Sequence, residues 1–386
     1  MGVEGHVAAG FEAVRDAFET NFDEHGDVGA AFCLHVDGEV VVDLWGGTAD
    51  VATERPWRED TLQLVFSTTK AATATCALML VERGEIDLDA PVVEYWPEFG
   101  GGGKENIPVR YLLSHRSGLA ALERKISVQE LLAWREPVAI LEAQKPLWEP
   151  GTAHGYHAWT FGHLVGELIR RVSGRSVGRF FAEEVADPLG LEFWIGLPGE
   201  HDARAASLIP FELSMDPGVF ATLPEILQEL VRAQVDPDSM FSRSLNITSD
   251  PIDWNSAEVR AAEIPSGNGV GTARALSRMY AALIGEVDGT RLLSPSTMDA
   301  ARTTQTMGRD LTLVVPTNWG LGFQLPIVGA LLSGTGAFGH GGMGGSLAFA
   351  DPEAGIAFAY VMNRMMIHYG PDPRTAGLIE ATLSCL

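Results

Sequence analysis

Residues 71 to 81, AATATCALMLV, are apolar or small on every side. A helix without a polar face reads as one buried at the centre of a protein, not one lying on its surface. Gly84 supplies a C-cap. At the head of the same stretch stand Ser67 and Lys70, in FSTTK. If residues from Ser67 onward are helical, these two lie one turn apart on one face, with roughly 5–6 Å between Cβ atoms. A hydroxyl and an amine can share a proton at that range. The helix N-terminus favours negative charge on the serine oxygen, and apolar packing makes an ammonium ion costly and lowers its pKa. The bland alternative is a capping serine with a surface lysine. Against it, a lysine beside an all-round apolar helix must point somewhere polar and enclosed.

At 386 residues the chain is long enough for two structural lobes. Residues 7 to 24 predict an amphipathic helix, with Val7, Phe11, Val14, Phe18 and Phe22 recurring at three and four. GAAFCLHVDGEVVVDLWGG then predicts two strands joined at Asp37-Gly38, a strong hairpin signal. Between Val109 and about Ala262 helical periodicity dominates, and AWTFGHLVGELIRRVSG and VGRFFAEEVADPLG end on glycine or proline. From Gly267 a further helix, TARALSRMYAALIGE, precedes strand-like segments such as SLAFADPEAGIAFAYVMN and a final helix near RTAGLIEATL. Strands thus sit at both ends and helices in the middle. The expected fold class is α/β, an antiparallel sheet flanked by helices with an inserted all-helical domain. Residues 1–86 and 268–386 would form the α/β domain, and 87–267 the helical one.

The formal net charge of −24 repels phosphate backbones and anionic lipid surfaces, so no nucleic-acid partner is expected. No apolar run reaches the roughly 18 residues of a membrane span, and the N-terminal residues lack the basic-then-apolar order of a signal peptide. His6 stands where a myristoylation signal needs Ser or Thr. The expectation is a cytoplasmic protein with no membrane association. Cys33, Cys76 and Cys385 are too scattered for a disulfide framework or a zinc cluster and read as buried small hydrophobes. Gly103-Lys104 is followed by Glu105 where a phosphate loop needs Ser or Thr, which removes nucleotide binding.

Two further segments carry candidate chemistry. In EPGTAHGYHAWTFGHLVGELI, Pro150-Gly151 and the glycine before Tyr156 hold a loop ahead of a helix and present Tyr156 outward. A tyrosine close to a lysine cation can lose its proton well below its free value of about 10 and then take one from a serine. The plain alternative is a tyrosine packed at a helix entrance. His154, His157 and His163 lie nearby, but without carboxylate or cysteine at metal spacing they make no zinc site, and no cofactor or metal is expected. In FGHGGMGGSLAF, residues 338 to 349, the glycines permit close substrate approach, and exposed N–H groups there can face a developing oxyanion. A rival nucleophile is Ser176, in the G-x-S-x-G pattern Gly174 to Gly178. That elbow needs a strand before the serine, whereas LVGELIRRVS is helical, so Gly174 reads as a C-cap and Ser176 as the next N-cap.

With these three segments in this order, the chain resembles the serine β-lactamase and penicillin-binding-protein superfamily, specifically the class C-like family VIII carboxylesterases. The likeness runs from about Asp27 to Asn363 and includes VRYLLSHRSGL, LWEPGTAHGYH and NGVGTARALSRMYAAL, with residues 200 to 262 less similar. It implies a β-lactamase/DD-peptidase-like fold. Ser67 becomes the acyl-accepting nucleophile, Lys70 its proton partner and Tyr156 the general base and later acid. His340, Gly341 and Gly342 take the place of the K-T-G strand, against the substrate, and the backbone N–H groups of Ser67 and Met343 form the oxyanion hole. The sequence departs from the lactamases twice: the Y-x-N triplet reads Tyr156-His157-Ala158, and K-T-G has lost its lysine and its threonine hydroxyl. Without that cation an acidic protein has little to attract an anionic β-lactam. The implied activity is therefore hydrolysis of small, short-chain acyl esters through an acyl-enzyme, with Trp148 and Trp159 as lining residues of the acyl or alcohol pocket. The alternatives are a β-lactam- or amide-directed hydrolase using the same residues and a catalytically silent binding protein. The sequence leaves oligomeric state open.

Overall fold

A computed structural model describes residues 2–211, 220, 222–327, 332–368 and 371–386. Its largest sheet joins strands from both ends of the chain: β1 (Val3–Val7), β2 (Gly29–Val36), β3 (Glu39–Asp50), β4 (Phe338–Gly341), β5 (Leu347–Asp351) and β6 (Ile356–Met362). They run in the spatial order β1-β3-β2-β6-β5-β4, every pair antiparallel, with the short strand Arg55–Pro56 against β3. The β2–β3 hairpin turns at Asp37 and Gly38, both at positive φ, as that dipeptide predicts.

Alternation along β6 shows how the layers divide. Ile356, Phe358, Tyr360 and Met362 face a core shared with α1 (Glu12–Asp23) and the C-terminal helix, which supplies Leu378 and Ile379. The residues between them, Ala357, Ala359 and Val361, face the other way. Small side chains on that face let α4 (Ala273–Ile284) lie close enough for Ser277 Oγ to donate to the Ala357 carbonyl at 2.8 Å. The N-terminal periodicity had merged two elements: Val7 ends an edge strand, and the helix begins only at Glu12.

Beyond α4 lies α2 (Thr69–Glu82), with every residue from Thr69 to Leu80 buried. Its threonines are satisfied individually: Thr69 Oγ1 donates to Phe66 O, Thr73 Oγ1 to Pro265 O and Thr75 Oγ1 to Ala71 O. α3 (Thr160–Ser173) packs against α2 and ends on left-handed Gly174. A three-stranded sheet links distant segments, Gln63–Leu64 pairing with Gly269–Gly271 and that with Phe193–Ile195. Cys33 and Cys76 are buried as expected, but Cys385 is only half-buried near the C-terminus. No described helix is long and apolar enough to cross a membrane.

The packing around α2 leaves no slack. A Cβ placed on Gly322 would come within 2.3 Å of Ala74 Cβ, so the chain there lies directly on the helix. Ala74→Leu is therefore expected to destabilise the fold by about 1–3 kcal/mol or more, measured as the shift in a reversible denaturant midpoint, whereas Leu at exposed Arg83 changes it little.

Candidate active site

The turn before α2 is a 3-10 segment, Phe66–Thr68, not the α-helix expected from Ser67 onward. Phe66 takes a left-handed conformation, φ +45°, uncommon for a bulky residue. Its ring holds it there, buried and edge-on to Trp254 with centroids 5.2 Å apart. This turn leaves Ser67 half-buried, with its hydroxyl toward Lys70.

Lys70 is fully buried, 0% exposed. Its Nζ lies 3.1 Å from Ser67 Oγ, 2.7 Å from Ala158 O and 2.8 Å from Ser266 O. No carboxylate pairs with it among the described residues, and burial drives its pKa well below the ordinary lysine value. The enclosed polar seat inferred for this lysine is thus built from two carbonyls and one hydroxyl.

Tyr156 stands over the same pair: Lys70 Nζ is 4.8 Å from its ring centre, and its hydroxyl interacts with the Ser67 side chain. It lies in the loop before α3, as expected, but points inward and is only 6% exposed. The anticipated acidic phenol is not found, because burial pushes its pKa upward. The cation that was to lower it is itself a group whose charged form burial disfavours. The ring is stacked on Trp319 at 5.4 Å and tilted against His115 at 5.1 Å.

His340 ends up beside this cluster, its ring 6.0 Å from that of Tyr156. Its Nδ1–H donates to Gly341 O at 2.7 Å, and burial, with Lys70 nearby, lowers its pKa to about 3. This imidazole therefore carries no charge near neutral pH. Gly342 is a glycine for want of room: a Cβ there would fall 2.2 Å from Val65 O. This contact brings Met343 next to the Ser67 turn. Among the described hydrogen bonds, neither the Ser67 nor the Met343 N–H has a partner.

The neighbouring histidines are structural. His157 donates from Nδ1 to Gly155 O and accepts at Nε2 from Leu119 N–H, while His154 sits between Thr306 and Thr317. His163 Nδ1 meets Trp159 O, and the three form no metal-holding cluster among the described residues. Ser176 caps the helix Val177–Phe181 and donates to Glu263 Oε1, so no nucleophile elbow exists there. A cavity of about 760 Å³ opens near Ser176, far from the chemistry of Ser67 and lined by Glu167, Arg170, Arg171 and Trp134. Beside the Ser67 turn lies a pocket of about 350 Å³ walled by Trp159, Trp254, Ile252, Leu245 and Met343, with Lys125 and Asp250 also on its walls. Trp159 lines this pocket. Trp148 does not: its indole donates to Ala153 O and packs edge-on to His157.

Two residues that carried no sequence signal hold Tyr156 in place. Ser244 Oγ donates to Tyr156 O and accepts from Ala158 N–H. Asp310, completely buried, accepts from Tyr156 N–H at 2.9 Å, from Thr312 and Leu313 N–H, from Thr317 Oγ1 and from Trp319 Nε1. One carboxylate therefore fixes both the backbone of Tyr156 and the indole stacked on its ring.

A fold and cluster of this kind define a serine hydrolase of the β-lactamase and penicillin-binding-protein type. The Beta-lactamase family model matches residues 14–379, and the chain belongs to that family. It is 38% identical over 368 residues to "Esterase/beta-lactamase LipL" of Mycobacterium tuberculosis, covering 92% of this chain and 82% of that protein. Among solved structures, a family VIII carboxylesterase superposes with TM-score 0.87 at 38% identity over the whole of both chains. A penicillin-binding protein homologue from Caulobacter crescentus does so with TM-score 0.88 at 39% identity, again over both whole chains.

Asp310→Asn retains the side-chain size but puts an amide NH2 against donors that now find an oxygen. At about 1–3 kcal/mol per orphaned buried donor, it should lower the denaturation midpoint. It should also reduce ester turnover by roughly tenfold or more, because the Tyr156 position loosens. Paired denaturation and steady-state assays check both.

Proposed function

We propose that this chain hydrolyses carboxylic esters through an acyl-enzyme on Ser67, with Lys70 as the base and Tyr156 as the acid. The observation that carries the reading is the set of three contacts around Lys70 Nζ. A neutral amine has two N–H donors and one lone pair. Ala158 O and Ser266 O take the donors, and the lone pair is left for the Ser67 O–H. Burial without a counter-ion selects this neutral form.

The proton balance follows. Lys70 takes the Ser67 proton as Oγ attacks the ester carbonyl, and the N–H groups of Ser67 and Met343 receive the oxyanion. The intermediate collapses with cleavage of the acyl carbon–oxygen bond. The departing alkoxide takes the Tyr156 proton, which is replaced from the Lys70 ammonium. A water then attacks the acyl carbon, Lys70 accepts its proton, and Ser67 leaves with a proton returned to it. Tyr156, first read as the base, keeps its proton until the leaving group needs it, consistent with its raised pKa.

Choice of substrate follows from charge and pocket shape. His340 is neutral and burial disfavours the charged form of Lys70, so the centre of the site offers little to a substrate carboxylate. That favours neutral esters over β-lactams, although the mycobacterial relative's name joins both activities. The pocket of about 350 Å³ takes the apolar part of the ester against Trp159 and Trp254, stacked 5.3 Å apart.

Four experiments test this. A fluorophosphonate should label Ser67 and not Ser176, and Ser67→Ala should lose labelling and turnover together. The pH profile of kcat/KM should rise as Lys70 deprotonates, below the free lysine value of about 10.4, and stay level through about pH 10 because Tyr156 is shifted upward. Loss of rate on a basic limb centred below that point would return the base role to Tyr156. Lys70→Arg, permanently charged, should be inactive. Trp254→Ala should cost roughly tenfold in kcat/KM for esters with a ring-bearing group and far less for p-nitrophenyl acetate.

A further inference from the structure

Ser346 belongs to none of the catalytic motifs, yet it bonds the neighbours of both proposed oxyanion-hole residues, Val65 and Thr68 around Ser67 and Gly342 beside Met343. Its Oγ donates to Val65 O at 2.8 Å and lies 3.1 Å from Thr68 Oγ1. A hydroxyl has one proton to give, so with that proton on Val65 O the second bond must run from Thr68 to Ser346. Val65 and Thr68 bracket the nucleophile turn. The Ser346 carbonyl accepts Gly342 N–H at 2.7 Å, closing the loop that carries Met343. The far side of that loop is also pinned: Gly344 O accepts from Arg374 Nη2 at 2.8 Å and from Met366 N–H at 3.0 Å.

We propose that Ser346 is the positioning residue that sets the spacing between the Ser67 and Met343 N–H groups, clasping the β4–β5 loop to the nucleophile turn. The proposal rests on the Ser67 acyl-enzyme reading. Two features make the clasp specific. Ser346 is 2% exposed, so water does not replace its bonds when they are lost. Gly342 admits the close approach only because it lacks a Cβ, which would sit 2.2 Å from Ser346 Oγ. Among the described hydrogen bonds, none joins the main chains of the two segments that carry the proposed donors. Their separation therefore depends on the side-chain link.

The test compares wild type, Ser346→Ala and Thr68→Val, assayed well below each variant's melting temperature. Ser346→Ala removes both hydroxyl bonds, and kcat for p-nitrophenyl esters should fall roughly 10- to 100-fold with KM within about threefold. Thr68→Val removes one bond and should lose less. The diagnostic readout is the rate ratio of an ester to its matched thionoester: an aligned hole prefers oxygen over the larger, weaker-accepting sulfur, so the ratio should drop with kcat. A residue of merely structural importance would lower the melting temperature and leave that ratio alone. A folded variant of either kind with unchanged kcat and unchanged ratio overturns the proposal. Turnover surviving in Ser67→Ala would instead sink the nucleophile reading, which separates the two failures.

Discussion

The arrangement at this site turns on a lysine that is fully buried with no carboxylate beside it among the described residues, so that burial disfavours its charged form. An amine taken out of water without a carboxylate partner is costly as an ammonium ion, and the least costly state is a neutral base whose donors are matched one by one. The fold supplies that match from three separate places. Ser67 comes from the turn before α2, Ala158 from the loop before α3, and Ser266 from the approach to the short strand at Gly269. Lys70 thus fastens α2 to the segments around it as well as standing beside the Ser67 hydroxyl. The burial of the helix from Thr69 to Leu80 is what makes this possible, since a solvated face would admit water and favour the charged form.

Around that amine the protein uses other buried polar groups as fasteners. Asp310 collects five donors and in doing so holds Tyr156 at its backbone and, through Trp319, at its ring. His157 and His154 are satisfied on both ring nitrogens, and burial lowers the basicity of each. A cluster of imidazoles this close to a catalytic centre invites a metal or acid–base reading. The hydrogen bonds show instead that they brace the loop carrying Tyr156, a role for which a neutral imidazole with one donor and one acceptor is well suited.

What could be read from the chain alone was what depends on neighbours in sequence. The Ser67–Lys70 spacing, the Asp37-Gly38 turn and the alternation of β6 are local, and each reappears in three dimensions. The strand Val3–Val7 was hidden because its partner is forty residues away in β3, and Val7 happened to extend the helical period of Phe11 and Val14. Ser244, Asp310 and Ser346 were invisible for a related reason: a serine or aspartate in a loop has no signature until the chain brings a buried donor to it. The direction of the Tyr156 shift was missed because enclosure, not the nearest charge, decides it, and enclosure by Trp319 and His115 is a tertiary property.

The same reasoning separates this site from a β-lactam-directed one on a shared fold. A lactamase-type K-T-G strand offers a cation to the substrate carboxylate. Here residues 340–342 read His340-Gly341-Gly342, burial keeps the imidazole neutral despite its bond to Gly341 O, which by itself would favour the charged ring, and the glycine lets the strand press against the Ser67 turn. With a formal charge of −24 over the chain, long-range attraction for an anionic substrate is absent as well. On the acyl-enzyme reading proposed above, an uncharged ring at position 340 and a pocket walled by Trp159 and Trp254 both suit a neutral ester, and neither disturbs the three contacts made by Lys70.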